Sequence, residues 1–475
     1  MLKERDCIGE MEIPEDVYYG IQSERAHNNF DISGTTINDL PDFVQAIAEI
    51  KKAAALANAR IGKLDSHVAG AICKAADEII AGKHAGMFPI DVFQGGGSTS
   101  TNMNVNEVIA KRANELLTGH KGYDAVHPNT HVNCGQSTND VIPTAIGITC
   151  HRYAKKLRPS LALLTETLQK KAEEFKDVVK ASRTCLQDAV PITLGQEFGG
   201  YYAFAARHLA LLDEMLAQPL ELPLGATASG TGFGTFEGYM EKVFIQLEEI
   251  TGIQVRQKAN LFDGLQQGDE YIRMSAYLKS LATGLGKIAT DLRIMSSGPR
   301  CGFAEIRLPA VQPGSSIMPG KVNPVMPELI NQICYQICGD DMAITMAVEG
   351  GELDLNVWEP VIIKNLTEEF RLLTGGMQKF VELCIAGIEA DEERCRTYAE
   401  QTMANATVAS ALLGYPKGTE IAQRAVAEGK TVKEIVREMR VFSESEIEEL
   451  FDPLMMADWR RSSKVMSNEN MKAKQ

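Results

Sequence analysis

Long apolar runs are missing from this chain: no stretch of about 18 apolar residues occurs, so no transmembrane helix is expected. The start, Met1-Leu2-Lys3-Glu4-Arg5-Asp6, is charged and has no apolar signal core, so no secretory leader is expected either. Cysteine is sparse, with 10 scattered thiols in 475 residues and no Cys-x-x-Cys pair, which fits a reducing cytoplasm. Cys334 and Cys338 lie four apart in an apolar helical pattern and read as buried thiols. Histidine is scarcer still: all 8 lie at or before His208. His127 and His131 are four apart, but Pro128 between them argues against a helical metal pair. With no Asp/His cluster at ligand spacing, no catalytic metal is expected. No dinucleotide fingerprint follows a strand, because Gly230-Thr231-Gly232-Phe233-Gly234 lacks that context; no cofactor is expected. Positive charge is in deficit, 48 Lys plus Arg against 63 Asp plus Glu, for a net charge of -15. Such a surface repels phosphate backbones and excludes nucleic acid as a partner. A small anionic substrate then needs a locally cationic site.

What is present is ordinary globular composition, 44% hydrophobic and 23% charged. At about 150 residues per domain the length fits about three domains or one large elongated fold. Helical periodicity dominates. Val44 to Ile61, His67 to Ile80 and Asn106 to Leu117 carry apolar residues at three- and four-residue spacing. Beyond residue 140 the segments lengthen: Asp140 to Val179, Glu197 to Leu216, Phe236 to Ile250, Tyr271 to Met295, Val322 to Val348 and Asn356 to Ile388. Helices this long, without strict heptads, predict a mainly α chain built on a bundle whose faces bury one another. Three parts are expected: a mostly helical 1–139, a central long-helix bundle 140–393, and a small helical module 394–475. In the last, Ser443-Glu444-Ser445-Glu446 before Ile447 and Leu450 predicts a capped helix start. The final dozen residues are polar and are predicted to fray. No internal repeat is visible.

Glycine- and hydroxyl-rich connections lie between the helices: Gln94 to Asn104, His127 to Asn139, Leu224 to Gly234 and Ser296 to Asn323. Loops of this kind on rigid scaffolds are where chemistry tends to sit. The sharpest is Gly314-Ser315-Ser316-Ile317-Met318-Pro319-Gly320-Lys321-Val322-Asn323-Pro324. Its lysine and amide suit a carboxylate, offering charge and planar hydrogen bonding. A serine in a glycine-rich loop can have its alkoxide stabilised by backbone N–H groups and nearby cationic charge, which makes it a usable base. The alternative is a plain flexible connection.

This segment closely resembles the signature loop of the aspartase/fumarase superfamily, and the resemblance runs from about residue 10 to 395. Asp16-Val17-Tyr18-Tyr19-Gly20-Ile21-Gln22, Gly95 to Val108, Ser137-Thr138-Asn139-Asp140, Arg183-Thr184 and Gly225-Ala226-Thr227-Ala228 match family blocks in order. Gly320-Lys321-Val322-Asn323-Pro324 is similar to the aspartase and class II fumarase branch. Val325 to Gln332 and Gly351 to Val357 resemble aspartases more than fumarases. The implied reaction is reversible loss of ammonia from L-aspartate to give fumarate. The family also implies a homotetramer in which each active site draws on three subunits. The sequence is compatible, since the long central helices carry more apolar surface than one subunit's bundle can cover.

Carried over residue by residue, the resemblance makes Ser315 the base that takes a proton from the carbon next to the β-carboxylate. Thr99, Ser137, Thr138 and Ser316 are implied to stabilise the resulting aci-carboxylate. Lys321 and Asn323 are implied to hold the α-carboxylate, Asn139 and Thr184 to face the amino group, and Glu328 to orient from behind. Ser137, Thr138 and Asn139 also read as helix caps, Thr184 as a loop hydroxyl, and Glu328 as a solvated first-turn residue. The chain departs from the pattern at Cys185, where relatives carry histidine or glutamine. A thiol reproduces neither side chain, and Glu328 loses the partner it usually orients. If the family geometry holds, Cys185 lies beside Thr184 and within reach of Glu328. Ser98 stands where glycine is common, and Gly234 where asparagine is common. Three readings stay open: an ammonia-lyase, a hydratase or related lyase of the same fold, and a non-enzymatic reuse of it.

Overall fold

The computed structural model describes residues 1–467. The final eight residues, and with them most of the predicted frayed end, lie outside the described residues. Helices α1 (Ile21–Asn29), α2 (Pro41–Arg60), α3 (Ser66–Ile80) and α4 (Thr99–Thr118) follow a hairpin of β1 (Leu2–Arg5) and β2 (Glu10–Ile13). The long α5 (Thr138–Glu174) leads into the antiparallel pair β3 (Val179–Thr184) and β4 (Gln187–Thr193), then α6 (Leu194–Ala217). Strands β5 (Leu220–Leu222) and β6 (Val255–Gln257) pair in parallel around α7 (Tyr239–Thr251), ahead of the short α8 (Asp263–Gln266) and the long α9 (Asp269–Met295). After β7 (Ile306–Arg307) come α10 (Val325–Glu349) and α11 (Glu359–Leu383). Then β8 (Glu389–Ala390) pairs with β7, and α12 (Glu392–Gln401) opens a run of short helices ending at Met466. The chain is mainly α, as its periodicity requires.

Helix ends differ from the periodic pattern for identifiable reasons. α4 begins at Thr99, ahead of the predicted Asn106, because its first two turns bury polar residues rather than apolar ones: Thr101, Asn102, Asn104 and Asn106 are all at most 1% exposed. Periodicity cannot see a polar buried face. α5 stops at Glu174, and the predicted continuation to Val179 is instead the turn into β3. α10 starts at Val325 and not at Val322, since Pro324 disfavours helical geometry in the residue before it. α11 starts at Glu359, with the Trp358 N–H donating to Asn356 Oδ1 and Pro360 in the first turn, where a missing N–H costs nothing. The start predicted at Ser443 is a complete capping box with Glu446. Trp459–Met466 is helical, so the predicted fraying does not begin at residue 464.

The chain divides into two compact units. The first comprises Met1–Arg158, Leu211–Ser280 and Tyr335–Thr374; the second comprises the remainder. In the first, α2 packs on α3, α4 and α7. The half-buried guanidinium of Arg152 on α5 donates to both oxygens of the buried Glu49 on α2, each at 2.6 Å. In the second, Phe175, Phe198 and Tyr201 stack edge to face at the start of α6, and the Lys171 ammonium donates to the Ile388 carbonyl at 2.8 Å. The C-terminal helices close their own apolar cluster around Leu412, Ile421, Ile435, Val436 and Leu450. Among the described residues no helix is long and apolar enough to cross a membrane.

One polar cluster in the first unit gives a measurable handle. Ser275 Oγ lies 2.8 Å from Glu369 Oε1 and 3.0 Å from Asp341 Oδ1, while Lys279 pairs with Asp341. Ser275 has one proton to donate, so the second contact requires a protonated carboxyl. Burial, reinforced by Asp340 and Asp341, raises the Glu369 carboxyl to about 9. Folding therefore takes up a proton between the ordinary glutamate range and about pH 9. The associated stability is complete at acid pH and is lost as pH rises through that window, by at most about 1.4 kcal/mol per pH unit. Thermal unfolding from pH 6 to 9 should show a steeper fall in Tm for the native chain than for Glu369→Gln. Parallel profiles would exclude the protonated pair.

Candidate active site

The candidate residues divide between the two units. Thr99, Ser137, Thr138 and Asn139 belong to the first; Thr184, Cys185, Ser315, Ser316, Lys321, Asn323 and Glu328 belong to the second.

In the first unit the glycine-rich approach to α4 turns through three consecutive left-handed residues, Gly96, Gly97 and Ser98, with φ of 82°, 58° and 62°. That geometry explains why glycine is at home at position 98; a serine there carries strain that glycine avoids. The turn places Thr99 at the first position of α4, exposed, its hydroxyl donating to the Gly96 carbonyl at 2.8 Å. Thr99 also borders a cavity of about 530 Å³ whose wall carries Arg5 and Arg25. Arg25 is already paired with Asp6 at 2.8 Å.

Ser137, Thr138 and Asn139 open α5. The Asn139 N–H donates to Ser137 Oγ at 3.3 Å, and the Ser137 N–H donates to Asp140 Oδ1 at 2.9 Å, so the start is a reciprocal cap. The other Asp140 oxygen accepts the Gly225 and Thr227 N–H groups, each at 2.9 Å. One buried carboxylate thus ties the Ser137 segment to the Gly225–Ala228 segment. The Asn139 amide adds a second tie, donating to the Ala228 carbonyl at 2.7 Å. Burial raises Asp140 to about 6 despite these three N–H donors and the nearby Lys51. Thr138 is buried and accepts from the Asn102 amide at 3.0 Å. His127 and His131 cap the short turn before this segment, the His127 N–H donating to His131 Nδ1 at 3.0 Å.

In the second unit the signature loop is built from its own bonds. The Gly314 N–H donates to the Lys321 carbonyl at 2.7 Å and the Asn323 amide to the Gly314 carbonyl at 2.9 Å. Within that clasp Ser315 Oγ accepts two backbone N–H groups, from Ile317 at 3.2 Å and Met318 at 2.9 Å. Two N–H dipoles aimed at one hydroxyl oxygen favour its negative form. Ser316 and Lys321 are exposed, and Glu328 stands in the first turn of α10, where a carboxylate meets the free N–H groups of the helix.

Thr184 and Cys185 lie at the tip of the β3–β4 hairpin, both exposed. Cys185 and Leu186 form a two-residue turn with φ of 55° and 58°, which matches the twist of the strands. Among the described residues no hydrogen bond joins Cys185 to Glu328. The hairpin is braced from beneath by a buried ion cluster. The Arg183 guanidinium reaches Glu305 at 2.8 Å and lies over the Phe303 ring at 4.2 Å. The Lys180 ammonium sits 2.5 Å from Glu197 and 3.3 Å from Glu305.

The sequence reading missed Asp140, Lys51, Asn102, Asn106 and Asn133. Asp140 was visible as the fourth member of its block, and the asparagine repeat at 102, 104 and 106 was a signal too polar for the apolar pattern to weigh. Asp140→Asn tests the tie directly, since it turns an NH2 group toward backbone N–H donors. At least about a tenfold loss of kcat/KM, together with a Tm lowered by a few degrees, is expected from leaving such groups unmet. Native kinetics in that variant would show that the carboxylate does not hold the segment.

Comparison with known proteins agrees with the architecture. A lyase family profile matches residues 9–339, and a fumarase C C-terminus profile matches residues 406–458. The aspartate ammonia-lyase of Bacillus subtilis (strain 168) is 45% identical over 455 residues, covering 95% of each chain. That of Escherichia coli (strain K12) is 42% identical over 450 residues, covering 94% of each. Among solved structures, a fumarate lyase:delta crystallin from Brucella melitensis superposes with a TM-score of 0.92 at 45% identity, covering 96% of this chain and 99% of that one. The class II fumarase of Schistosoma mansoni gives 0.92 at 34% identity, with the same coverage. With its family blocks in order and both profiles matched along its length, this chain belongs to the lyase family of the aspartase/fumarase superfamily.

Proposed function

We propose that the protein is a carbon–nitrogen lyase that converts L-aspartate reversibly to fumarate and ammonia. The observation that carries the reading is Ser315, whose Oγ accepts two backbone N–H groups inside a loop clasped by its own hydrogen bonds. A proton on the carbon beside a carboxylate is barely acidic, so both the base and the resulting charge need fixed stabilisation. Ser315 as alkoxide takes that proton, and the electron pair moves into the β-carboxylate to form an aci-carboxylate dianion. Ser137, Thr138 and Ser316 supply hydroxyl donors to it, and Thr99 does so by turning its proton away from the Gly96 carbonyl. Collapse of the dianion expels the amine at the α-carbon, forming the double bond of fumarate. Lys321 and Asn323 hold the α-carboxylate, Asn139 and Thr184 face the amine, and Cys185 and Glu328 complete its surroundings. The extent and level of similarity to aspartate ammonia-lyases support aspartate as the substrate.

The subunit reads as three parts with divisions near residues 139 and 393, assembling as a homotetramer whose active sites draw on more than one subunit. One feature supports assembly: along α10, Tyr335, Met342 and Met346 are 68%, 59% and 67% exposed, an apolar stripe that a lone subunit leaves in water. Ten free thiols support a reducing compartment, the cytoplasm.

Incubating the purified protein with L-aspartate and, separately, with L-malate while following fumarate absorbance tests the substrate. Fumarate from aspartate alone is expected; fumarate from malate alone would make the protein a hydratase, and none from either would end the enzymatic reading. Ser315→Ala should fold and assemble normally and lose turnover by at least ~1,000-fold. More than about a tenth of native activity in that variant would remove Ser315 from the role of base, on the same scale for a lost proton acceptor.

A further inference from the structure

The buried lysine on α2 is not explained by the reaction as written. Lys51 is fully buried, and its ammonium donates to Asn133 Oδ1 at 2.9 Å. Burial lowers it to about 7, against the attraction of Asp140. Replacing such a group by an apolar one is commonly neutral or stabilising, so its retention asks for another reason.

The reason lies in the direction of the hydrogen bonds that start from it. Every group between Lys51 and Thr138 is an amide, nearly symmetric in shape, able to present either oxygen or NH2. Below its lowered pKa Lys51 is an ammonium and has only donors. The atom of Asn133 that faces it must therefore be the oxygen, and the opposite end of the same amide donates to the Gln136 carbonyl at 3.1 Å. An oxygen at that point in turn requires NH2 groups from Asn102 and Asn106, which approach it at 3.3 and 3.2 Å. The same Asn102 NH2 donates to Thr138 Oγ1 at 3.0 Å. The Thr138 oxygen is then occupied as an acceptor toward the interior, and its own proton is free to point outward. The arrangement has a cost: the carbonyl oxygens of Asn102 and Asn106 are buried with no hydrogen-bond partner among the described residues. A network selected for stability alone would satisfy them.

We propose that Lys51 is a positioning residue that polarises the chain Lys51–Asn133–Asn102–Thr138, so that the Thr138 hydroxyl faces substrate as a proton donor. The proposal rests on the reading of Thr138 as a donor to the aci-carboxylate. Without Lys51 the Gln136 carbonyl still sets the sense of the Asn133 amide, but the Asn133 oxygen loses the cation that holds it against Asn102; once it withdraws, Asn102 can turn its oxygen to Thr138, and the threonine proton is drawn inward. The charge that develops in the transition state then loses a donor, while ground-state binding of aspartate changes little.

The test is a double-mutant cycle on the full-length protein with aspartate as substrate. Lys51→Met keeps the stem and removes the donor; Asn102→Leu breaks an independent link of the same chain and decides the matter if Lys51→Met does not fold. Thr138→Val alone should lower kcat by about 100-fold, the usual scale for one donor to a developing oxyanion. Lys51→Met and Asn102→Leu should each lower kcat by at least about tenfold with KM shifted less than about threefold, because the lost interaction belongs to the transition state. Each combined with Thr138→Val should be no slower than Thr138→Val itself within about threefold, because residues acting in series do not add. Additive losses would overturn the proposal and make the lysine merely structural, as would native kcat in a folded Lys51→Met variant. Native kcat in Thr138→Val would overturn it differently, by removing its premise about Thr138.

Discussion

Much of the first unit's chemistry depends on a constraint that is easy to state: a carboxylate inside a protein must be met by donors. Asp140 has no solvent to turn to, and it finds the N–H groups of Ser137, Gly225 and Thr227. Two segments 85 or more residues apart in the chain are thereby fixed against each other at hydrogen-bond distance. The hydroxyls and amide of Ser137, Thr138 and Asn139 ride on that junction. Their order comes from a fully buried group, because a free N–H beside a buried oxygen leaves the backbone no alternative partner.

The second unit solves a related problem by another route. There the hairpin that carries Thr184 and Cys185 rests on Lys180, Arg183, Glu197 and Glu305, a cluster in which each charge is matched by an opposite one. Glu305 is fully buried, so removing either cation would leave an uncompensated charge, the expensive way to disturb a protein interior. Its backbone carbonyl also accepts the Asp391 N–H and the Cys395 thiol, which joins the hairpin to the entry of the C-terminal helices. A loop with an exposed tip can thus be stiff at its base.

Sequence and structure agree where burial is apolar and part company where it is polar. The long helices were legible because Ile, Leu and Val recur at helical spacing, and the cap at Ser443 because its chemistry is local. The loop from Gly314 to Asn323 was legible as a block of unusual composition, and its internal bonds follow from the same residues. The start of α4 was not legible, since Thr101, Asn102, Asn104 and Asn106 look like a solvated loop until a partner for each amide is known. Lys51 was hidden for the same reason: a lysine in a helix reads as a surface residue, and only three-dimensional neighbours reveal one that water never reaches. The turn at Cys185 and Leu186 was hidden because neither residue is a usual choice for left-handed geometry; the strands on either side impose it.

The clasp that closes the Gly314–Asn323 loop makes its shape a local property. Its bonds run from one part of the loop to another, with Gly314 meeting both Lys321 and Asn323, and Ser315 meeting Ile317 and Met318. The orientation of the Ser315 oxygen is therefore written into about ten consecutive residues and owes none of its hydrogen bonds to the hairpin. A change of side chain at position 185 leaves every one of those bonds in place. The loop and the hairpin can therefore be altered as separate pieces, each keeping the internal bonds that shape it.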